Sequence, residues 1–418
     1  MSVEAAVAEL TTRARRAARA LAPRDRAAKD AALRLIARGL ETHAPEILAA
    51  NAEDVARARA QGTSAAVVDR LALDDARVRA MAHAVEEIAA LDDPVGGILS
   101  ETTRPNGLHV RRVRVPIGVI AMIYEARPNV TAEASALCLK AGNAVVLRGG
   151  SDASASNAAI ARVLTEALES AKLPRDAVQV LASTDRDAIR ALVQQSDTVD
   201  LVIPRGGEAL IRFVTEHARV PVVQHYKGVC HLFVDAGADV ALATKLAVDG
   251  KLRRPSACNA LECLLVDAGD APRLLPPIAK ALVDGGCELR ADARARELVP
   301  ASKPATDADF GAEFLERVLA VKVVDGLDGA LAHVARYGSG HTEAICTRDA
   351  GHAERWRSEV DAACVVVNAS TRFHDGGELG LGAEIGIATS RLHWRGAMGL
   401  EALTTMKWVI DGEGQVRG

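Results

Sequence analysis

Residues 118–150, GVIAMIYEARPNVTAEASALCLKAGNAVVLRGG, decide the fold class. Gly118–Tyr124 and Ala144–Arg148 are short, continuously apolar runs that read as buried strands, and the stretch 131–141 between them reads as a helix. A strand without polar alternation, followed by a helix and another such strand, is the pattern of a parallel sheet covered on both faces. The rhythm continues outward. Strands are expected at Ala177–Ala182, Thr198–Ile203 and Val220–Gln224, with helices at about 153–171, 185–195 and 206–218. After Gly228 it resumes with strands at Cys230–Val234, 260–266, Val318–Val324, Thr342–Thr347 and Ala363–Asn368, and helices at 238–250, 271–284 and 328–336. Two such sheets in succession, with a break near Lys227-Gly228, predict two α/β domains with a cleft between them.

Before this region, residues 1–95 are rich in Ala, Leu, Arg and Asp/Glu at helical spacing and predict amphipathic helices broken near Pro23, Pro45 and Gly62. A hairpin is expected next, with strands Ile98–Thr103 and Leu108–Val115 joined by the turn Pro105-Asn106-Gly107. Its second strand alternates His109, Arg111, Arg112 and Arg114 with valines, and a hairpin with one apolar face needs a second surface to cover it. At the other end, Asp375–Gly386 (DGGELGLGAEIG) nearly matches a dinucleotide fingerprint but has one residue too many and no preceding parallel strand. It reads instead as a tightly turned site loop. Leu403–Ile410 reads as a final strand, an edge that a neighbouring subunit could accept.

The chain has 418 residues, a formal net charge of -4 and only 3% aromatic residues. Neither the charge nor the aromatic content offers a footprint for nucleic acid. No apolar signal core opens the sequence, and no window approaches a membrane-spanning length. Seven cysteines, scattered without metal-ligand spacing, suit a reducing cytosol better than a disulfide framework. The reading is a cytoplasmic globular protein without a metal site.

One cysteine stands apart. Cys138, Cys230, Cys263, Cys346 and Cys364 lie within apolar segments, and Cys287 follows a Gly-Gly pair. Cys258, in KLRRPSACNALECLLV (251–266), sits in a loop with Arg253, Arg254 and Asn259 beside it. Cationic surroundings raise the thiolate fraction of a cysteine. On these residues alone, nucleophile and structural thiol are both open.

Four stretches, in order and at their present spacing, resemble the aldehyde dehydrogenase superfamily, and within it the branch that reduces glutamyl phosphate. They are RPNVTAEASALCLKAGNAVVLRGGSDA (127–153), IPRGGEALI (203–211), RRPSACNALE (253–262) and FHDGGELGLGAEIGIATSRLHWRGAMGLEALTTMKW (373–408). The resemblance implies an aldehyde dehydrogenase-like α/β fold, with two parallel-sheet domains and a β oligomerisation element. By position it implies a cofactor domain from 1–100 and 115–228 and a catalytic domain from 229–370. Residues 101–114 and 371–418 would supply the oligomerisation element and the C-terminal site loop.

The implied activity is NADPH-dependent reduction of L-glutamyl 5-phosphate to L-glutamate 5-semialdehyde with release of phosphate, the second step of proline biosynthesis from glutamate. Cys258 would be the nucleophile, with oxyanion donors from its own N–H and from Arg127 or Asn129. Arg148 and Ser151 stand where a cation without a carboxylate suits the 2′-phosphate of NADPH. Gly206 and Gly207 would allow backbone approach to the cofactor, and Glu313 resembles the glutamate that holds the nicotinamide ribose. His225 stands where hydrolytic relatives place the glutamate that activates water. A homo-oligomer is implied, and a separate glutamate 5-kinase would supply the unstable substrate.

Overall fold

The computed structural model describes residues 2–183 and 185–417, which form two compact units. The first comprises the chain up to Gln224 together with 381–386 and the residues from Met398 onward; the second comprises His225–Gly380 and Ile387–Ala397.

The first unit begins with five helices: α1 (Val3–Leu21), α2 (Arg26–Thr42), α3 (Ala44–Ala60), α4 (Ala65–Leu71) and α5 (Asp75–Ala90). Ser2, Asp25 and Asp74 start three of them by accepting the N–H groups of Ala5, Ala28 and Arg77. In α1 the buried residues Val7, Leu10, Ala14, Ala17, Ala18 and Leu21 recur at helical spacing, so one stripe packs inward.

A hairpin of β1 (Ile98–Thr103) and β2 (His109–Pro116) follows. The α/β part then runs through β3 (Val119–Tyr124), α6 (Pro128–Lys140), β4 (Ala144–Arg148), α7 (Ser154–Ser170), β5 (Val178–Val180), α8 (Arg186–Val193), β6 (Leu201–Arg205) and α9 (Glu208–His217). The sheet order is β5-β4-β3-β6, all parallel. Every residue of β3 and β4 is buried, which explains their unbroken apolar sequence. Two buried lysines tie the helical layer together. Lys140 on α6 binds Asp30 of α2 and the Ala89 carbonyl of α5, and Lys29 lies 2.5 Å from Asp93.

The strand expected over Val220–Gln224 is reduced to a single parallel bridge between Val202 and Val222. Pro221 accepts from the Val202 N–H at 2.9 Å but has no N–H to return, so the ladder stops there.

The second unit carries a seven-stranded parallel sheet in the order β10-β9-β11-β8-β7-β12-β13. Its strands are β7 (Cys230–Val234), β8 (Leu261–Asp267), β9 (Glu288–Ala291), β10 (Lys303–Pro304), β11 (Val318–Val324), β12 (Thr342–Cys346) and β13 (Cys364–Val367). The helices are α10 (Val240–Leu252), α11 (Ala271–Asp284), α12 (Ala293–Leu298), α13 (Gly326–Tyr337) and α14 (Ala350–Glu359). The sequence reading left β9, α12, β10 and α14 unassigned. The first three are very short, and α14 buries only Ala353 and Trp356, too few for a clear period.

Two short strands, β14 (Gly386–Ala388) and β15 (Gly396–Met398), precede the last strand, β16 (Thr404–Asp411). β16 pairs antiparallel with β2 of the same chain, from Thr404 opposite Pro116 to Asp411 opposite His109. The tail read as an edge for a neighbour therefore has its ladder partner within the chain, because its length and alternation match β2. The arginines of β2 are engaged locally. Arg111 lies 2.6 Å from Asp411, Arg114 lies 2.7 Å from Glu401, and Arg112 stacks 5.3 Å from the Trp408 ring centre. Met406, Trp408 and Ile410 remain largely exposed. Among the described residues, no helix is long and apolar enough to cross a membrane.

Candidate active site

Cys258 lies in the turn-rich segment that joins α10 to β8, at the N-terminal edge of the second unit's sheet. The segment is pinned from three sides. A Cβ placed on Gly228, just ahead of β7, would stand 1.9 Å from the Cys258 carbonyl oxygen, so no residue with a side chain fits there. The buried thiol of Cys230 contacts the same oxygen at 3.4 Å. Asn259, also buried, donates to the carbonyls of His374 at 2.9 Å and Arg372 at 3.3 Å, while the Thr371 hydroxyl donates to the Asn259 carbonyl at 2.8 Å. Asn259, next to Cys258, is thus held by residues 371–374, which lie just ahead of the glycine-dense stretch 375–386.

The side-chain ligand atoms of His225, Cys258 and His341 all lie within 4.8 Å of one another. His225 and Cys258 are half-buried, whereas His341 is fully buried. The His341 Nδ1 lies 2.7 Å from the Thr342 hydroxyl, which in turn lies 2.8 Å from Nδ1 of His374. This chain fixes the ring and leaves Nε2 of His341 without a hydrogen-bond partner. Burial holds His341 well below the ordinary imidazole range, helped by the charges of His374 and His225, and burial pushes His374 down to about 4. His341 and His374 are therefore neutral near pH 7, and a neutral imidazole can take a proton.

Arg372 adds a cation. Burial lowers its pKa, while Asp375 and then Cys258 oppose that shift, which places the guanidinium within electrostatic reach of the thiol. A guanidinium stays protonated in proteins. Five other cysteines have thiols that burial holds up. Burial raises the thiols of Cys138, Cys230 and Cys364, and holds Cys287 and Cys346 at about 11.

Sequence reasoning singled out Arg253 and Arg254 for this neighbourhood. Both are exposed, and Arg253 pairs at 3.5 Å with Asp249. His341 and Arg372 were missed, because neither belongs to a spacing pattern that ties it to position 258. Glu313 lies in the second unit too, half-buried in a non-helical stretch before β11.

The remaining predicted residues gather in the first unit, at the C-terminal ends of its strands. Arg127 caps α6 and Asn129 lies in its first turn, where its amide donates to Glu133 at 3.1 Å. Ala126, at the turn from β3 into α6, has φ +39°, a conformation that costs energy for a residue with a side chain. Gly206 follows β6, and a Cβ there would meet the Glu125 carboxylate at 2.5 Å. Gly207 caps α9 and donates its N–H to that carboxylate at 3.0 Å, with open space on its Cα.

Arg148 ends β4, buried, with the charges of Glu125 and Asp185 opposing the effect of burial on its pKa; Ser151 is exposed. The two glycines between them line a cavity of about 840 Å³. Arg13, Arg162 and Arg175 also line it, against the single carboxylate of Asp176. The sequence offered no signal for these three arginines, which come from α1, α7 and the turn before β5.

The Aldehyde dehydrogenase family profile matches residues 1–287. A γ-glutamyl phosphate reductase of Sorangium cellulosum (strain So ce56) is 59% identical over 422 residues, covering 100% of this chain and 99% of its own length. One from Xanthomonas axonopodis pv. citri (strain 306) is 58% identical over 408 residues, covering 98% and 99%. The chain belongs to the γ-glutamyl phosphate reductase branch of the aldehyde dehydrogenase family. The crystal structure of the γ-glutamyl phosphate reductase from Thermotoga maritima superimposes with a TM-score of 0.97 at 45% identity, over 99% of this chain and 100% of that one. An acetylating aldehyde dehydrogenase from Geobacillus thermoglucosidasius shares the fold at a TM-score of 0.69 and 18% identity. The two parallel sheets and the antiparallel element are thus the aldehyde dehydrogenase-like fold, and enzymes of this family use a nicotinamide cofactor.

Proposed function

We propose that this chain reduces L-glutamyl 5-phosphate to L-glutamate 5-semialdehyde with release of phosphate, using NADPH, as the second step from glutamate to proline. The observation that carries the reading is the pair of imidazoles, His225 and His341, beside the half-buried Cys258 thiol. Hydrolysis of a thioester calls for a base that activates water, and position 225 offers an imidazole where hydrolytic relatives carry a carboxylate. An acyl-phosphate reductase needs no such water.

The chemistry follows from the groups present. The nearby Arg372 charge favours the Cys258 thiolate. The thiolate attacks the acyl carbon, and the oxyanion is met by the Cys258 N–H, with Arg127 or Asn129 as the proposed second donor. The C–O bond to phosphate breaks, phosphate departs, and a thioester remains on Cys258. When bound, the reduced nicotinamide supplies a hydride. Collapse of the resulting hemithioacetal returns the thiolate and frees the aldehyde.

For the cofactor, the first-unit cavity lined by Gly149 and Gly150 has room for a nucleotide portion, and its three arginines against one aspartate suit a 2′-phosphate. Gly206 and Gly207 let backbone approach the pyrophosphate or nicotinamide, with Arg148 and Ser151 at the end of β4 beside the lining glycines and Glu313 the proposed ribose contact. A kinase must supply the acyl phosphate, and a separate glutamate 5-kinase fits that need. The reaction belongs in the cytoplasm, where both cofactor and glutamate are at hand. Exposed Met406, Trp408 and Ile410 on β16 support a homo-oligomer built on the three-stranded sheet.

Three outcomes are expected. Cys258→Ala abolishes turnover but keeps NADPH affinity, read by kinetics and by fluorescence titration; comparable turnover in that variant removes the nucleophile. Arg148→Ala weakens NADPH more than NADH, by about tenfold to a hundredfold, the worth of one charge-assisted hydrogen bond. Equal losses for the two cofactors in that titration would mean that Arg148 only shapes the fold. Light scattering coupled to size exclusion gives an oligomer for the full-length chain at micromolar concentration, and a stable monomer would refute the pairing surface.

A further inference from the structure

A second cluster of soft ligands lies inside the seven-stranded sheet's covering layer, and the proposed reaction makes no use of it. β12, β7 and β8 are adjacent, and their register places Glu343 beside His231 and His231 beside Cys263. The three side chains form a row across one face of the sheet. The next residue in the row, on β11, is Ala320, which is small. His333 comes down onto the row from α13, with its Nε2 3.6 Å from the Cys263 sulfur. The ligand atoms of His231, Cys263 and His333 all lie within 4.8 Å of one another, and all three residues are buried. Around them the layer is apolar, built from Phe233, Leu265, Phe310, Ile345 and Trp356.

Polar groups buried in such a layer are costly unless they are satisfied. Here they are not. His231 Nε2, His333 Nδ1 and Glu343 Oε1 have no hydrogen-bond partner. His231 is turned so that its Nδ1 meets Glu343 at 2.8 Å, which directs Nε2 toward the sulfur. A carboxylate on one imidazole nitrogen with the other nitrogen facing a thiol is the arrangement that orients a histidine ligand toward a metal ion.

We propose that His231, Cys263 and His333 form a buried zinc site, with Glu343 as the carboxylate that orients His231. Zn–N bonds of about 2.0–2.1 Å and a Zn–S bond of about 2.3 Å put a tetrahedral nitrogen–sulfur pair roughly 3.5–3.6 Å apart, and Nε2 of His333 lies 3.6 Å from the Cys263 sulfur. Charge also balances: Zn²⁺ offsets the Cys263 thiolate and the Glu343 carboxylate, with both imidazoles neutral. Binding releases the thiol proton and the second proton of the His231–Glu343 pair. Lys322 lies over the rings of Phe310 and Tyr337 and Arg336 over that of Tyr337, and both disfavour any uncompensated positive charge. The sequence gives no hint of this site, because positions 231, 263 and 333 share no ligand spacing and meet only through strand register.

The test is the zinc content of the full-length chain, produced in zinc-supplemented medium, washed with EDTA and measured by mass spectrometry of the metal. About one zinc per chain is expected in the wild type and in Cys258→Ala, with a drop of about tenfold or more in Cys263→Ala and in His333→Gln. Should those two variants fail to fold, cobalt-grown wild-type and Cys258→Ala proteins decide the matter. Both must show the near-ultraviolet thiolate-to-cobalt band. Wild-type protein with less than about a tenth of an equivalent of zinc overturns the site. So does zinc retained in full by folded Cys263→Ala, or a cobalt band lost in Cys258→Ala.

Discussion

Only a hydrogen atom fits between the Cα of Gly228 and the carbonyl of Cys258. That contact sets the thiol against the start of β7, and the rest of the candidate active site is arranged around it. Cys230 backs the same carbonyl, Asn259 locks the loop to Arg372 and His374, and Thr342 links His374 to His341. A backbone carbonyl cannot swing aside as a side chain can, so this constraint is geometric rather than energetic in detail. The two imidazoles reach Cys258 because the segment carrying it has almost no freedom to be elsewhere.

Much of the fold was legible. β3, β4, β7, β8 and β11 announce themselves as unbroken apolar runs because both faces of each sheet are covered. β2, half-buried along its whole length, and β16, mostly exposed, alternate apolar with polar residues in sequence. Elements that bury little left little trace: β9, β10 and α12 are short, and α14 hides only two side chains. The failure at Val220–Gln224 has a different cause. Its composition suits a strand, but Pro221 withholds a donor that the ladder needs.

The site divides the same way. Cys258 stands out by its loop and its cationic neighbours, while Gly206 is reached only through the family resemblance. His341, Arg372, Arg13, Arg162 and Arg175 do not stand out, since each is brought in by tertiary packing from a distant part of the chain. The visible arginines of 253–254 drew attention, while a cation coupled electrostatically to Cys258 is Arg372, from the loop on the far side of Asn259. Charge near a thiol matters by distance in space, which a linear reading cannot measure.

The central claim is that phosphate, not water, exchanges with the acyl group on Cys258. It is tested most directly in the reverse direction, by following NADP⁺-dependent oxidation of glutamate 5-semialdehyde with and without inorganic phosphate. The account predicts a rate that falls by roughly an order of magnitude or more when phosphate is withheld, with an acyl phosphate that hydroxylamine traps when it is present. An undiminished rate in phosphate-free buffer, with free glutamate as the product, would contradict it.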